Sequence, residues 1–290
     1  MTRRDALFFL FSVILFSSGA LANDRGLHND TKQFTPPEAM TSSDWSNPNE
    51  MHRTWQRAVV RVPTGKNRSR KLTTAKLPGW KAKATYPAVV YMHGCTGIWP
   101  GTHDRVKFLA DLGFVVVAPA SLARAKYPQS CDPNTHRGGM YRPTLKMRQF
   151  DAGYAIEQVK KLPFVDKDRV VLMGLSQGGW TTTTFRPKNA NQRVAARVAE
   201  GLPCHAGWKE YTGINTRRDE PILVLYGLLD PWYQNEWSKG TCTRFINPAN
   251  GSKSVVYNSG RLAKTHELLD YRQPRAEVAA FLKSVLRLSN

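Results

Sequence analysis

Seven runs of apolar, largely β-branched residues recur along this chain, at 58–62, 88–92, 114–118, 170–173, 194–199, 222–226 and 254–257. Their apolar character is continuous rather than alternating, which marks strands covered on both faces. Apolar residues at three-to-four spacing lie between several of them, over 104–112, 145–162 and 274–288, and the first pattern stops at Gly113, a suitable helix end. Strands alternating with helices predict an α/β fold: a doubly wound, mostly parallel sheet with helices on both faces and no large cap.

In such a sheet the functional side chains gather beyond the C-terminal ends of the strands, so the residues after each run matter most. Gly174-Leu175-Ser176-Gln177-Gly178 follows the run ending at Met173. A serine on a sharp strand-to-helix turn holds its hydroxyl above the sheet, and only small neighbours let the chain bend that tightly. Asp230 follows the run ending at Gly227, and His266 stands in the loop before the last helix. Serine, then aspartate, then histidine is the order of the α/β-hydrolase triad.

These positions predict Ser176 as nucleophile, His266 as the base that takes its proton, and Asp230 as the group that orients the imidazole. Glu200, near the end of the preceding strand, is the alternative acid. His205 is either an alternative base or a residue facing the substrate. An attacked carbonyl also needs donors for its developing negative oxygen. The backbone N–H groups of Gln177 and of Cys95, within His93-Gly94-Cys95-Thr96-Gly97, are the expected pair. His93 is read either as substrate-binding or as a brace for that loop, and Trp232 as substrate-binding. Trp99, Trp180, Trp208, Tyr233 and Trp237 also fall near loops after strands and form a candidate aromatic lining. Arg124, Arg137 and Arg142 are candidate clamps for a substrate carboxylate.

Together, His93 to Gly97, Phe114-Val115-Val116-Val117-Ala118-Pro119, the Ser176 motif, Asp230-Pro231-Trp232 and His266 resemble the dienelactone hydrolase family of α/β-hydrolases over roughly residues 85–288. The resemblance implies a compact hydrolase without a large lid, acting on an ester or lactone through an acyl-enzyme. There is one departure. The family typically carries a cysteine nucleophile where this chain has Ser176, which moves the expectation from dienelactone itself toward a wider esterase role. A peptidase or amidase using the same triad, and a catalytically silent envelope-associated protein, are the alternatives. No metal or organic cofactor is expected, and the four cysteines lack the close spacing of a zinc site.

Lys and Arg number 42 against 22 Asp and Glu, a net charge of +20. Such a field favours anionic small molecules or an acidic envelope surface. The cations are scattered apart from Lys66-Asn67-Arg68-Ser69-Arg70-Lys71, and no nucleic-acid module accompanies them, so no nucleic-acid partner is expected.

Arg3 and Arg4, the apolar stretch 7–16 and Ala20-Leu21-Ala22 read as a signal peptide over 1–22, cleaved after Ala22, which predicts a periplasmic or secreted protein. Residues 23–55 are polar, with Pro36-Pro37 at their middle, and are expected to form an irregular lead-in to a catalytic domain over 56–290. Four cysteines in an exported chain suggest two disulfides. Cys95 with Cys131 and Cys204 with Cys242 are the preferred pairs, because each would tie loops at the end of the sheet where the site is expected.

Overall fold

The computed structural model describes residues 40–126, 131–139, 141–206 and 208–288. The proposed signal peptide and residues 23–39 lie outside them. In chain order the elements are α1 (Ser42–Ser46), α2 (Pro48–Gln56), β1 (Val59–Gly65), β2 (Arg68–Leu72), β3 (Tyr86–Met92), α3 (Pro100–Asp111), β4 (Val115–Ala118), β5 (Cys131–Asp132), β6 (Arg137–Gly138), α4 (Arg142–Lys160), β7 (Val165–Leu175), α5 (Gln177–Thr184), β8 (Ala196–Glu200), β9 (Ile222–Gly227), β10 (Lys253–Tyr257), α6 (Gly260–Ala263) and α7 (Arg272–Val285).

Eight strands form one sheet in the order β10-β9-β8-β7-β3-β4-β1-β2, and β5 with β6 makes a separate small hairpin. From β10 through β4 every pairing is parallel. Only the β1 pairings with β4 and β2 are antiparallel. Successive side chains of a strand point to opposite faces, and the core divides accordingly. Val89, Tyr91, Val171, Met173, Val198 and Leu223 pack with Val106 and Leu109 of α3 and Val278 and Phe281 of α7. Ala88, Val90, Val115, Val117, Val170 and Leu172 pack with Ala152, Ile156 and Val159 of α4 on the other face. This is the expected doubly wound α/β architecture.

Two local readings differ from the expectation. The basic stretch at 66–71 runs into an edge strand, β2, whose residues are largely exposed. With one neighbour and little burial it carries none of the apolar signal of the inner strands, and its Lys and Arg residues blunt an edge that would otherwise invite pairing. The lead-in, as far as it is described, is helical rather than irregular. Asn47 accepts the backbone N–H groups of Asn49 (2.9 Å) and Glu50 (3.4 Å), with Pro48 at the first helical position, as helix starts favour. Tertiary contacts hold the segment down. Arg124 donates to the carbonyls of Asp44 (2.7 Å) and Trp45 (3.1 Å), and Glu50 accepts the N–H of Ala125 at 2.6 Å.

Both preferred disulfides are present, Cys95–Cys131 with Cα atoms 5.8 Å apart and Cys204–Cys242 with Cα atoms 5.0 Å apart. No helix among the described residues is long and apolar enough to cross a membrane.

Candidate active site

Strand β7 delivers Ser176 to a sharp turn before α5. Its backbone sits at φ 55°, ψ −118°, a conformation unusual for a residue with a side chain and held only where the surroundings enforce it. Here the Ser176 N–H donates to the Glu200 carbonyl at 2.8 Å, and the Ser176 carbonyl accepts the N–H of Trp180 at 2.8 Å. The turn is so close to β3 that a Cβ at Gly178 would stand 2.0 Å from the Met92 carbonyl oxygen. Glycine is required there on contact grounds alone.

Asp230 lies beyond the end of β9 and is fully buried. Its Oδ1 accepts the N–H of Trp232 at 3.0 Å, and its Oδ2 accepts from His266 Nδ1 at 2.6 Å. His266 reaches it because the end of α6 is stitched to the segment after β9: Leu229 N–H donates to the Ala263 carbonyl at 2.7 Å. With Nδ1 donating to the carboxylate, the lone pair of the neutral ring is on Nε2.

Tyr233 lies between the serine turn and His266. The Tyr233 hydroxyl accepts the indole N–H of Trp180 at 3.2 Å, the residue whose backbone N–H holds the Ser176 carbonyl, while the Tyr233 and His266 ring centroids lie 5.9 Å apart. Burial first, and then the nearby Asp230, push the Tyr233 pKa up, so the phenol stays protonated. Gly201, next to the Glu200 that anchors Ser176, has φ +68°, and a Cβ there would lie 3.2 Å from His266 Cε1. The imidazole therefore rests on backbone that is itself tied to the serine turn.

Gln177 is the first residue of α5, so its N–H has no acceptor within the helix and lies at the positive end of the helix dipole. Cys95 stands in the loop after β3, beside Gly94, where a Cβ would lie 4.0 Å from Ser176 Cβ, and is bonded to Cys131. Trp232 packs between His266, whose ring is tilted against it with centroids 5.4 Å apart, and His136 of the disulfide-tethered hairpin, which meets it edge-on at 5.3 Å.

Other sequence candidates go elsewhere. His93 is fully buried. Its Nδ1 donates to the Gly94 carbonyl at 2.6 Å and its Nε2 accepts the N–H of Ser121 at 3.1 Å. It braces the loop, in place of the substrate contact that was the other reading. His205 packs against Phe245 with centroids 5.8 Å apart, and burial followed by the nearby Arg244 lowers its pKa. No contact among the described residues joins it to Ser176, Asp230 or His266. Glu200 is occupied by Arg105 at 2.9 and 2.7 Å and by the N–H of Leu269 at 2.7 Å. Arg124 is buried against Asp151, and Arg142 pairs with Glu210 while lying over Trp208. Arg137 is exposed, on the hairpin beside His136. A 540 Å³ cleft along α4, lined by Phe150, Tyr154 and Lys188 among others, contains none of Ser176, Asp230 and His266.

Sequence reasoning missed Arg148. It is fully buried and donates to the carbonyls of His93 and Gly94 and to Gln177 Oε1. Its signal was an arginine within the apolar stripe of the 145–162 helix, one turn from Leu145 and from Ala152.

A sequence model of the dienelactone hydrolase family matches residues 75–257. Among solved structures the chain is similar to a dienelactone hydrolase-like promiscuous phosphotriesterase from metagenomic libraries, with 20% identity, 80% of this chain and 98% of that one covered, and a TM-score of 0.48. It is also similar to acetyl xylan esterase 1 from a Thermoanaerobacterium species, with 20% identity, 71% and 76% covered and a TM-score of 0.46. A third is brefeldin A esterase, a bacterial homologue of human hormone sensitive lipase, with 14% identity, 72% of each chain covered and a TM-score of 0.48. No curated protein sequence matches the chain.

Proposed function

The chain belongs to the dienelactone hydrolase family of α/β-hydrolases, and on that premise we propose that it is an exported, serine-dependent hydrolase of carboxylic esters or lactones. The observation that carries this reading is the 2.6 Å hydrogen bond between His266 and Asp230, set beside a serine held at positive φ, with Tyr233 bonded to Trp180 of the serine turn and packed against that histidine.

In the proposed reaction His266 Nε2 takes the Ser176 proton as Oγ attacks the carbonyl carbon, and the carbonyl electron pair moves onto oxygen. Asp230 stabilises the imidazolium and fixes its tautomer. The N–H groups of Gln177 and Cys95 receive the oxyanion. The tetrahedral intermediate collapses, and the leaving alkoxide carries away the proton from His266. Water, deprotonated by the same imidazole, then attacks the acyl-enzyme, and the acid leaves as Ser176 Oγ recovers its proton. Trp232 forms one wall for the acyl or alcohol group. Serine in place of the family's usual cysteine supports an ester role wider than dienelactone. Two disulfides support export, since such bonds persist in oxidising compartments.

A screen of p-nitrophenyl esters of graded acyl length, anionic lactones and matched p-nitroanilides tests the proposal. Ester or lactone turnover is expected, reduced by at least about 10⁴-fold in Ser176→Ala. Faster cleavage of the anilides would assign an amidase, and turnover unchanged in Ser176→Ala would refute the serine mechanism.

A further inference from the structure

Arg105, Arg124, Arg148 and Arg197 are all fully buried. Three of them hold a carboxylate: Arg105 with Glu200 (2.7 Å), Arg124 with Asp151 (2.6 Å) and Arg197 with Glu220 (2.7 Å). Arg148 differs. Among the described residues its hydrogen bonds go to neutral oxygens, the carbonyls of His93 and Gly94 (3.3 Å) and the side-chain oxygen of Gln177 (2.6 Å), and its other close neighbour is His93 Nδ1 at 3.4 Å. Burial lowers its pKa to about 10, with Asp151 one turn along α4 opposing that shift. A buried cation without a bonded counter-ion is unfavourable unless its surroundings use it.

The acceptors are specific. Gly94 O and Cys95 N–H belong to one peptide unit, which is trans, so the two point in opposite directions. Whatever grips the Gly94 oxygen fixes the direction of the Cys95 N–H. Three donors converge on that oxygen: Arg148, His93 Nδ1 at 2.6 Å and Gly97 N–H at 3.3 Å. The same guanidinium holds the side chain of Gln177, whose Nε2 in turn donates to the Gly139 carbonyl at 2.8 Å.

We propose that Arg148 is a positioning residue for the oxyanion hole, locking the Gly94–Cys95 peptide against a flip while tying it to Gln177, so that both N–H donors face the same point. The inference rests on the reading of Ser176 as nucleophile. The oxyanion exists only in the transition state and intermediates, so losing the lock depresses kcat and leaves substrate binding nearly untouched.

The test is steady-state kinetics of Arg148→Met and Arg148→Lys on one p-nitrophenyl ester, with thermal unfolding and inhibition by an alkyl boronic acid, which forms a tetrahedral adduct on serine. Arg148→Met is expected to lose about 100-fold or more in kcat with KM within about threefold, and boronate affinity should fall in parallel. Arg148→Lys keeps the charge but not the fork and should lose about tenfold in kcat. A folded Arg148→Met with kcat within about threefold of the parent, or a kcat loss with boronate affinity intact, overturns the proposal. Should Arg148→Met fail to fold, Arg148→Lys decides, and parental kcat in that variant overturns it. Ser176→Ala in the same assay keeps the two questions apart: its activity tests the nucleophile, whereas inactive Ser176→Ala beside fully active Arg148→Met refutes the lock alone.

Discussion

Strands β8 and β9 lie side by side, and the C-terminal end of each presents a fully buried carboxylate, Glu200 and Asp230 respectively. Depth and position in the fold are nearly the same, yet the partners differ. Glu200 is gripped by both arms of Arg105 and accepts the N–H of Leu269, so its charge is neutralised and the group serves construction, pinning the loop that follows His266. Among the described residues no cation is bonded to Asp230. Its oxygens take one backbone N–H and one imidazole N–H, which leaves its charge free to stabilise an imidazolium when one forms. Location at a strand end selects candidates, and the charge state of the partner decides between them.

Exchanging the charge at each site should separate the two roles. Asp230→Asn leaves the shape intact but favours the wrong histidine tautomer, and kcat on an ester substrate should fall by about 10⁴-fold with little change in melting temperature. A loss below about tenfold would remove the distinction drawn between the two regions. Glu200→Gln should do the reverse. Leaving Arg105 without its full counter-charge costs about 3–5 kcal/mol of stability, read by urea denaturation, while kcat of the protein that remains folded stays within about tenfold.

The Cys204–Cys242 disulfide bridges the loop after β8 to the segment after Asp230. Replacing both cysteines by serine should cost about 3–4 kcal/mol by the loop-closure argument, again by urea denaturation, and an unchanged midpoint would mean that the two regions are held together without it.

The smallest effect is a pH slope. Glu267, between the two regions, has its pKa raised from the ordinary 4.5 to about 6, chiefly by burial, with Asp270 and Glu200 adding to the shift and Arg105 and His266 opposing it. A carboxyl that holds its proton more tightly folded than unfolded stabilises the fold fully below pH 4.5, and that contribution is lost as pH rises through about 6. Glu267→Gln should flatten this part of the stability profile between pH 4 and 7, measured by denaturation at each pH. An unaltered slope would assign it to other groups.

Much of this was legible in the sequence, for reasons that also explain what was not. The inner strands announce themselves because both faces are buried, which forces continuous apolar runs, whereas β2 is an edge with one neighbour and reads as a basic patch. Ser176, Asp230 and His266 stand out because each follows a strand or precedes the last helix in a recognisable order. The helices α1 and α2 were hidden because contacts from Arg124 and Ala125, far along the chain, order a polar segment. His93 and His205 carried no sequence mark separating a brace from a ligand. Arg148 went unread because its acceptors at His93 and Gly94 lie more than fifty residues away, and only the folded chain brings them together.

The central claim is that Ser176 becomes covalently modified during turnover. Mass spectrometry of the folded protein after reaction with a fluorophosphonate ester tests it most directly. One adduct per chain is expected, located on the peptide that contains Ser176, absent from Ser176→Ala and formed far more slowly in His266→Ala. Active protein that takes up no adduct, or an adduct that persists in Ser176→Ala, would contradict the account.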